Sequence, residues 1–225
     1  MKALILALLP VLVGVGHALA GTASDHDPDD PSHQHPAPGA SIVRFGQVDE
    51  GVYKGSRPKN DADFKFLQSK SIKTILELKF LPFLDRAEKR KANRYGIIFK
   101  TALMNASPFA PSEKHVDQIL RILRDKRYQP IYFHCDIGRD RTSLIAGLYR
   151  IYFRGMSPQE AWQDMTHFGF KDSWTLRGLK RYFEKHPRRP PSLDTEPLDR
   201  DAPASTDSFA IETGNPRALL YAESL

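Results

Sequence analysis

Residues 131–142 read Ile-Tyr-Phe-His-Cys-Asp-Ile-Gly-Arg-Asp-Arg-Thr, an apolar run followed by a short polar loop. The run Ile131–Phe133 predicts a buried strand that ends at His134, and the loop Cys135–Asp140 then leads into a helix that begins at Arg141. Where a loop passes into a helix N-terminus, successive backbone N–H groups point into one concavity and bind anions. The same positive helix end lowers the pKa of a thiol placed there. This stretch therefore predicts an anion site that contains a reactive cysteine.

The side chains around the cysteine suit the same chemistry. Cys135 is the only cysteine of the chain, so no intramolecular disulfide is possible. Gly138 permits a tight turn because it adopts positive φ without steric cost. Arg141 offers a planar fork of donors that fits two phosphate oxygens, and Thr142 places a hydroxyl near the sulfur. His134 is expected to support a thiolate through hydrogen bonds to the loop. An inert buried cysteine is the alternative interpretation.

Apolar or β-branched runs alternate with helical patterns throughout residues 41–186. The alternation predicts a single α/β domain with a central mixed or parallel sheet flanked by helices. The predicted strands are Ile42–Phe45, Val52–Lys54, Thr74–Leu78, Ile97–Lys100 and Ile131–Phe133. The predicted helices are Asp61–Ser69, Asp85–Tyr95, one capped by Ser112, Arg141–Phe153, Pro158–His167 with a capping box at Ser157, and Trp174–Lys185. Asp49-Glu50-Gly51 predicts a hairpin turn between the first two strands.

Both ends of the chain differ in composition from this domain. Residues 1–20 are typical of a signal peptide, with Lys2, an apolar run too short to span a membrane comfortably, and Ala18-Leu19-Ala20 as the cleavage site. Cleavage after Ala20 predicts an exported protein, periplasmic or secreted, with no stable membrane insertion. Residues 21–40 predict a disordered linker, whose histidines are not expected to bind metal, and residues 187–225 predict a Pro-rich, largely disordered tail.

Charge is concentrated in the predicted domain. Residues 41–186 hold 28 basic and 16 acidic side chains, an excess of 12 positive charges, whereas the whole chain carries only +6. Such an excess favours anionic ligands, among them polyphosphates, nucleic acid and anionic lipid, although a solvated basic surface is the plain alternative.

The spacing His-Cys-x5-Arg-Thr resembles the signature of the protein tyrosine phosphatase superfamily. Val48–Pro58, Thr74–Lys79 and Gly155–Phe170 look like elements of its small dual-specificity members, so the resemblance covers about residues 42–185. It implies a dual-specificity-phosphatase fold, attack on phosphorus by Cys135, and a cysteinyl-phosphate intermediate. It also implies that Arg141 binds the equatorial oxygens, that Thr142 stabilises the leaving thiolate, and that no metal or other cofactor takes part.

One part of the family pattern is missing. Most members carry an acidic residue that protonates the leaving oxygen in a loop before the signature strand, but the matching stretch 104–111 contains no Asp or Glu. Asp140 is the best candidate for this general acid, because myotubularin-type phosphatases have an Asp at the corresponding position. The alternative is that Asp140 only holds the loop by accepting hydrogen bonds. Glu113 and His115 are weaker candidates for the acid.

Substrate contacts are expected from the loop residues Asp136, Ile137, Gly138 and Arg139, although the carboxylate of Asp136 should point outward, away from a phosphate. Arg139 adds positive charge to the loop, and Lys171 adds to its rim unless it is an ordinary surface lysine. These features favour a phosphorylated polyanionic small molecule over nucleic acid. The predicted substrate is an inositol polyphosphate, as for bacterial phosphatases of this superfamily that act as phytases. A secreted protein tyrosine or dual-specificity phosphatase and an inactive anion-binding module are the alternatives.

Overall fold

The computed structural model describes residues 39–79, 86–104 and 109–195. The strands of this part are β1 Gly46–Asp49, β2 Val52–Ser56, β3 Thr74–Lys79, β4 Ile98–Leu103 and β5 Ile131–Cys135. They form one sheet in the order β1-β2-β5-β3-β4, in which β1 is antiparallel to β2 and the other pairings are parallel. The helices are α1 Asp61–Ser69, α2 Arg86–Arg94, α3 Glu113–Arg124, α4 Asp140–Arg154, α5 Pro158–His167, α6 Arg177–Lys185 and α7 Ser192–Thr195. The predicted α/β domain with a mixed sheet is confirmed.

Helices cover both faces of the sheet. Apolar side chains of α1 and α2 pack on one face, and those of α3 to α6 pack on the other. Side chains alternate between the faces along each strand, so in β5 Tyr132 points toward α1 and α2, whereas Phe133 and Cys135 point toward the larger helical layer. The alternation assigns His134, between them, to the face covered by α2.

The parallel strands place four chain ends along one edge of the sheet. Ser56, Lys79, Leu103 and Cys135 end β2, β3, β4 and β5, and we call this side of the molecule the carboxyl edge. In open parallel sheets ligands bind outside this edge, because the loops that leave it converge there. The predicted anion loop begins at this edge.

The first predicted strand was wrong. Residues 42–45 are not a strand, and β1 begins at Gly46 instead. Ile42 and Phe45 are both buried, but three residues apart rather than alternating. Between them Arg44 has a φ of 57°, a left-handed conformation that ends any extended run. A hairpin joins β1 to β2 as predicted, with Gly51 at a φ of 71°.

Other boundaries shifted by a few residues. β5 continues through Cys135, past the predicted end at His134, because Cys135 still pairs with Ser56 of β2. The last predicted helix begins as a 3-10 turn over Trp174–Leu176 before α6. Packing also continues beyond residue 186, since Leu193 of α7 is buried in the core cluster that includes α3.

Several predictions lie outside the described residues. They are the signal peptide 1–20, nearly all of the linker 21–40 with its histidines, and the tail from residue 196 onward. No helix in the described part of the chain combines the length and the apolar character needed to cross a membrane.

The carboxylate of Asp63 holds the chain that enters the domain. It accepts hydrogen bonds from the Ser41 hydroxyl at 2.8 Å, from the Ser41 and Ile42 N–H groups, and from the Lys59 and Asn60 N–H groups at 2.6 and 3.0 Å. Burial alone would raise the pKa of Asp63, but these donors lower it below its usual value.

We expect Asp63→Asn to lower the free energy of unfolding by about 2 kcal/mol at neutral pH, because an amide cannot accept at both positions. The contribution is present in full above the unfolded-state pKa and is lost as the pH falls through the lower folded-state pKa. The gap between the two proteins in urea unfolding should therefore shrink below about pH 4. Asp61→Asn, exposed in the same helical turn, should change stability by less than about 0.5 kcal/mol. A pH-independent gap would contradict this account.

Candidate active site

The loop 135–140 turns sharply at the carboxyl edge, between β5 and α4. Gly138 has a φ of 68°, and a Cβ atom there would lie 2.5 Å from the backbone carbonyl of Gly55. Only glycine fits this position, because it must combine a left-handed conformation with close approach to β2. Gly138 thus shapes the loop as predicted, and it also allows the loop to pack closely against β2.

The thiol of Cys135 is buried at the base of this loop and is held by the first turn of α4. The N–H of Cys135 donates to the hydroxyl oxygen of Thr142 at 2.8 Å. Burial acts to raise the pKa of Cys135, but hydrogen bonds from Thr142, the positive charge of Arg141 and the N–H of Gly138 outweigh it. The pKa of the Cys135 thiol is therefore lower than usual, so the site favours the nucleophilic thiolate.

Arg141 is anchored to the neighbouring strand. One of its guanidinium nitrogens, Nη1, donates to the backbone carbonyl of Leu78 near the end of β3 at 2.7 Å. A guanidinium has five N–H donors in a rigid plane, so a bond on one side fixes the plane while other donors remain for an anion. The structure thus brings Cys135, Arg141 and Thr142 together, as the sequence predicted.

His134 is fully buried and lies against a carboxylate from α2. Its Nε2 atom is 2.9 Å from Oε1 of Glu88. Burial acts to lower the pKa of His134, but the charges of Glu88 and Glu77 outweigh it and raise the pKa above its usual value. The ring therefore keeps its proton to a higher pH than a free histidine does.

Arg57 joins this pair to the loop. Its Nε atom is 3.3 Å from the second oxygen of Glu88, and its Nη2 donates to Glu77 at 2.8 Å. The N–H of Arg57 donates to the backbone carbonyl of Asp136 at 3.1 Å, and its Nη1 lies 3.5 Å from the Asp136 carboxylate. The residue after β2, helix α2 and the anion loop are thus tied by one set of charged groups, in which the two glutamates are buried and Arg57 is partly exposed.

Sequence reasoning missed Arg57, Glu77 and Glu88 as parts of the site. Glu77 did carry a signal, because an acidic side chain inside the apolar run of β3 is unusual unless it is paired. Glu88 lies in the charged stretch of α2, where nothing in the sequence separates it from solvated neighbours.

Asp140 is engaged by its neighbour. Nε and Nη2 of Arg139 donate to the two oxygens of Asp140 at 2.8 and 3.1 Å. A carboxylate held at both oxygens by a guanidinium is a poor proton donor in that arrangement. The geometry thus favours the loop-holding role of Asp140 over the role of general acid, and it offsets the positive charge that Arg139 was predicted to add.

The other predicted contact residues lie around the mouth of the loop. Asp136 and Ile137 are exposed, and Asp136 points outward to Arg57 as expected. Lys171 is also exposed, two residues after Gly169, where an added Cβ would lie 3.5 Å from Cδ of Arg139. Of the two weaker acid candidates, Glu113 lies 3.2 Å from His186 of the C-terminal region and is highly exposed. Within the described ranges no three His, Cys, Asp or Glu side chains form a group that could hold a metal ion.

The comparisons with known proteins match this geometry. A model of the tyrosine phosphatase family matches residues 41–173, which include the loop and every strand. The chain belongs to the tyrosine phosphatase family. The resemblance that the signature spacing indicated is thereby confirmed.

Two curated relatives show similarity over shorter segments. The dual specificity protein phosphatase TpbA of Pseudomonas aeruginosa strain PAO1 is 36% identical over 69 residues, which are 29% of this chain and 32% of TpbA. The inositol diphosphatase DSP3 of Arabidopsis thaliana is 32% identical over 114 residues, 47% of this chain and 53% of that protein. The matched segments thus span about a third to a half of these relatives.

Solved structures of the same fold include two phosphatases. The core catalytic domain of the PP-IP phosphatase SIW14 from S. cerevisiae superposes with a TM-score of 0.54 at 23% identity, over 62% of this chain and 83% of that one. P. aeruginosa TpbA gives a TM-score of 0.55 at 24% identity, over 70% and 92%. At these identities the likeness shows the fold alone.

The hydroxyl of Thr142 can be tested through the reactivity of the thiol. The rate of alkylation of Cys135 by iodoacetamide should rise with pH around a midpoint below that of free cysteine, since only the thiolate reacts. Thr142→Val removes a hydrogen bond that lowers the pKa, so the midpoint should move to higher pH. Thr142→Ser keeps the hydroxyl and should leave the midpoint close to that of the natural protein. Equal midpoints for the valine and serine variants would contradict the assigned role.

The role of Asp140 can be tested with two leaving groups. Because both carboxylate oxygens are held by Arg139, we expect Asp140→Asn to slow release from an aryl phosphate and from an alkyl phosphate by similar factors. A general acid would instead cost about 10²–10⁴ on the alkyl phosphate, whose leaving group needs the proton, and little on the aryl one. Steady-state kcat/KM values for both substrates measure the difference, and a selective loss on the alkyl phosphate would identify Asp140 as the acid.

Proposed function

We propose that the chain is a cysteine-dependent phosphatase that acts on inositol polyphosphates. The observation that carries the proposal is the buried Cys135 thiol, whose pKa is lowered by Thr142 and Arg141 at the start of α4. A thiolate in a ring of loop N–H groups is arranged to attack an anion that the same groups bind. An inactive anion-binding module would not need these three side chains together.

The reaction proceeds in two steps. The thiolate of Cys135 attacks phosphorus in line, an S–P bond forms, and the P–O bond to the leaving group breaks. Arg141 and the loop N–H groups hold the equatorial oxygens as charge moves onto them. Water then attacks the cysteinyl-phosphate, the S–P bond breaks, and the thiolate returns to its hydrogen bonds from Thr142 and Gly138. The products are inorganic phosphate and the leaving group. The leaving group is an alcohol, which takes its proton from water, when an ester is cleaved, and a phosphate ester when a diphosphate is cleaved.

Positive charge supports a polyanionic substrate. The domain 41–186 has 12 more basic than acidic residues, Arg139 belongs to the loop, and Lys171 follows Gly169, which lies next to Arg139. A substrate with several phosphates would compete with Asp140 for Arg139. Relatives named inositol diphosphatase and PP-IP phosphatase support the same class of substrate.

The lack of an evident general acid limits which inositol phosphates suit the site. Residues 104–111 contain no carboxyl group, and Asp140 is paired with Arg139. An alkoxide leaving group needs a proton, whereas the phosphate group displaced from a diphosphate leaves readily without one. An inositol phosphate that carries a diphosphate group therefore suits this site better than a simple alkyl phosphate ester.

A protein substrate is the second candidate. TpbA is named a dual specificity phosphatase, and a variant of it has been solved in complex with pTyr. The signal-peptide pattern of residues 1–20 supports export in either case, to the periplasm or the medium, where a secreted phosphatase would meet extracellular phosphoproteins.

Phosphate release from three substrates tests the proposal. The protein is recovered from the periplasm or medium of an expressing host, and its amino terminus is read first, because cleavage after Ala20 should leave Gly21 there. We expect phosphate to be released fastest from an inositol phosphate that carries a diphosphate group, more slowly from inositol hexakisphosphate, and most slowly from a phosphotyrosine peptide. Cys135→Ser should reduce turnover to background while it still binds the anion. Fastest release from the peptide would favour the second candidate, and turnover by the serine variant would exclude the covalent mechanism.

A further inference from the structure

Four large apolar side chains are exposed in the described part of the chain, and each belongs to a different segment. Val43 is 49% exposed, Phe109 76%, Ile137 42% and Trp174 72%. Scattered single exposures of this kind are ordinary, but a group of them on one side of a molecule marks an interaction surface. Whether the four side chains form one surface depends on where each lies relative to the anion loop.

Two of the four lie at the loop itself. Ile137 is part of it, and Val43 is held next to it. The N–H of Val43 donates to the hydroxyl of Ser56, and the N–H of Ser56 donates to the carbonyl of Val43, at the end of β2. The next residue, Arg44, donates to the carbonyl of Ile137 at 3.2 Å. Val43 is thus fixed against the same carboxyl edge.

The segments that carry the two aromatic residues meet at the start of α6. The backbone of Phe109 packs directly on Gly178 in the first turn of α6, and the 3-10 turn that begins at Trp174 runs into that same turn. The chain reaches Trp174 from Gly169, which is adjacent to Arg139 of the loop. Phe109 follows β4, whose end also lies at the carboxyl edge.

Exposed cations lie on the same segments as these two aromatic residues. Lys171, Arg177 and Arg181 lie on the segment that carries Trp174, and Lys114 lies five residues after Phe109. Arg177 and Arg181 are four residues apart on α6, so they share one side of the helix. Aromatic side chains interspersed with lysine and arginine are typical of protein surfaces that bind the interface of anionic membranes.

We propose that Val43, Phe109, Ile137 and Trp174, which we call the apolar rim, dock the mouth of the anion loop onto an anionic lipid bilayer. The four side chains come from separate segments at or near the carboxyl edge, and several separate contacts suit a flat partner better than a single peptide chain. A hydrated inositol phosphate offers no apolar surface to contact them. Docking would hold Cys135 toward phosphates that lie at the membrane surface. The proposal does not depend on which phosphate ester the enzyme cleaves.

Vesicle flotation tests the docking surface without reference to turnover. The protein is mixed with vesicles of phosphatidylcholine alone or with about 30% phosphatidylglycerol, a lipid that carries no phosphomonoester. We expect binding to the anionic vesicles only, weakened by high salt, and about tenfold weaker for the Phe109→Ser/Trp174→Ser double variant. Tyr128→Ser, three residues before β5 and away from the carboxyl edge, removes a partly buried aromatic side chain elsewhere and should bind like the natural protein.

Hydrolysis of an aryl phosphate by the double variant shows that the fold and the loop are intact, because neither Phe109 nor Trp174 is assigned to the chemistry. Unchanged vesicle binding by the double variant, or no binding of the natural protein to anionic vesicles, would overturn the proposal. A double variant with a raised KM for a phosphotyrosine peptide, in a protein that ignores vesicles, would assign the rim to a peptide instead.

Discussion

The carboxylate of Glu88 lies in the interior between the ring of His134 and the guanidinium of Arg57, and the anion loop rests on this contact. Each of the three groups comes from a different element, namely α2, β5 and the end of β2. Burying a charge without a partner costs several kcal/mol, and removal of one member of a buried pair typically costs about 3–5 kcal/mol. The three elements are therefore held in one arrangement. The loop starts one residue after His134, so its position depends on this arrangement.

A separate group of contacts sets the pKa of the nucleophile. Cys135 is buried, and burial by itself favours the neutral thiol. The hydrogen bonds from Thr142, the positive charge of Arg141 and the hydrogen bond from Gly138 outweigh burial and lower the pKa of the thiol. The site thus combines exclusion of water with a charged nucleophile, and this combination requires that the compensating groups be fixed before substrate arrives. The anchoring of Arg141 on the carbonyl of Leu78 serves the same purpose.

Much of the fold could be predicted from local patterns. The helix Asp61–Ser69 was predicted to the residue, and the capping box at Ser157 placed the start of α5 correctly, because caps and helical spacing are properties of neighbouring residues. The strand predicted at 42–45 failed because Ile42 and Phe45 are buried by a loop that Arg44 bends, and Arg44 takes that shape to reach carbonyls distant in sequence. The length of β5 was underestimated because its last pairs are made with β2, about 80 residues earlier.

The sequence by itself determined the reactive group and its immediate surroundings. Cys135, Gly138, Arg141 and Thr142 lie within eight residues, so a strand, a turn and a helix start suffice to bring them together. Only the tertiary structure decided what supports them. Alternation along β5 and β3 turns His134 and Glu77 toward α2. There they meet Glu88 of α2 and Arg57, which follows β2, and both lie far from His134 in the sequence. The tertiary structure likewise showed that Asp140 is held by Arg139, and it brought the backbone of Phe109 against Gly178 of α6. Local spacing fixes which groups are neighbours on one element, whereas the pairing of buried charges depends on how separate elements pack.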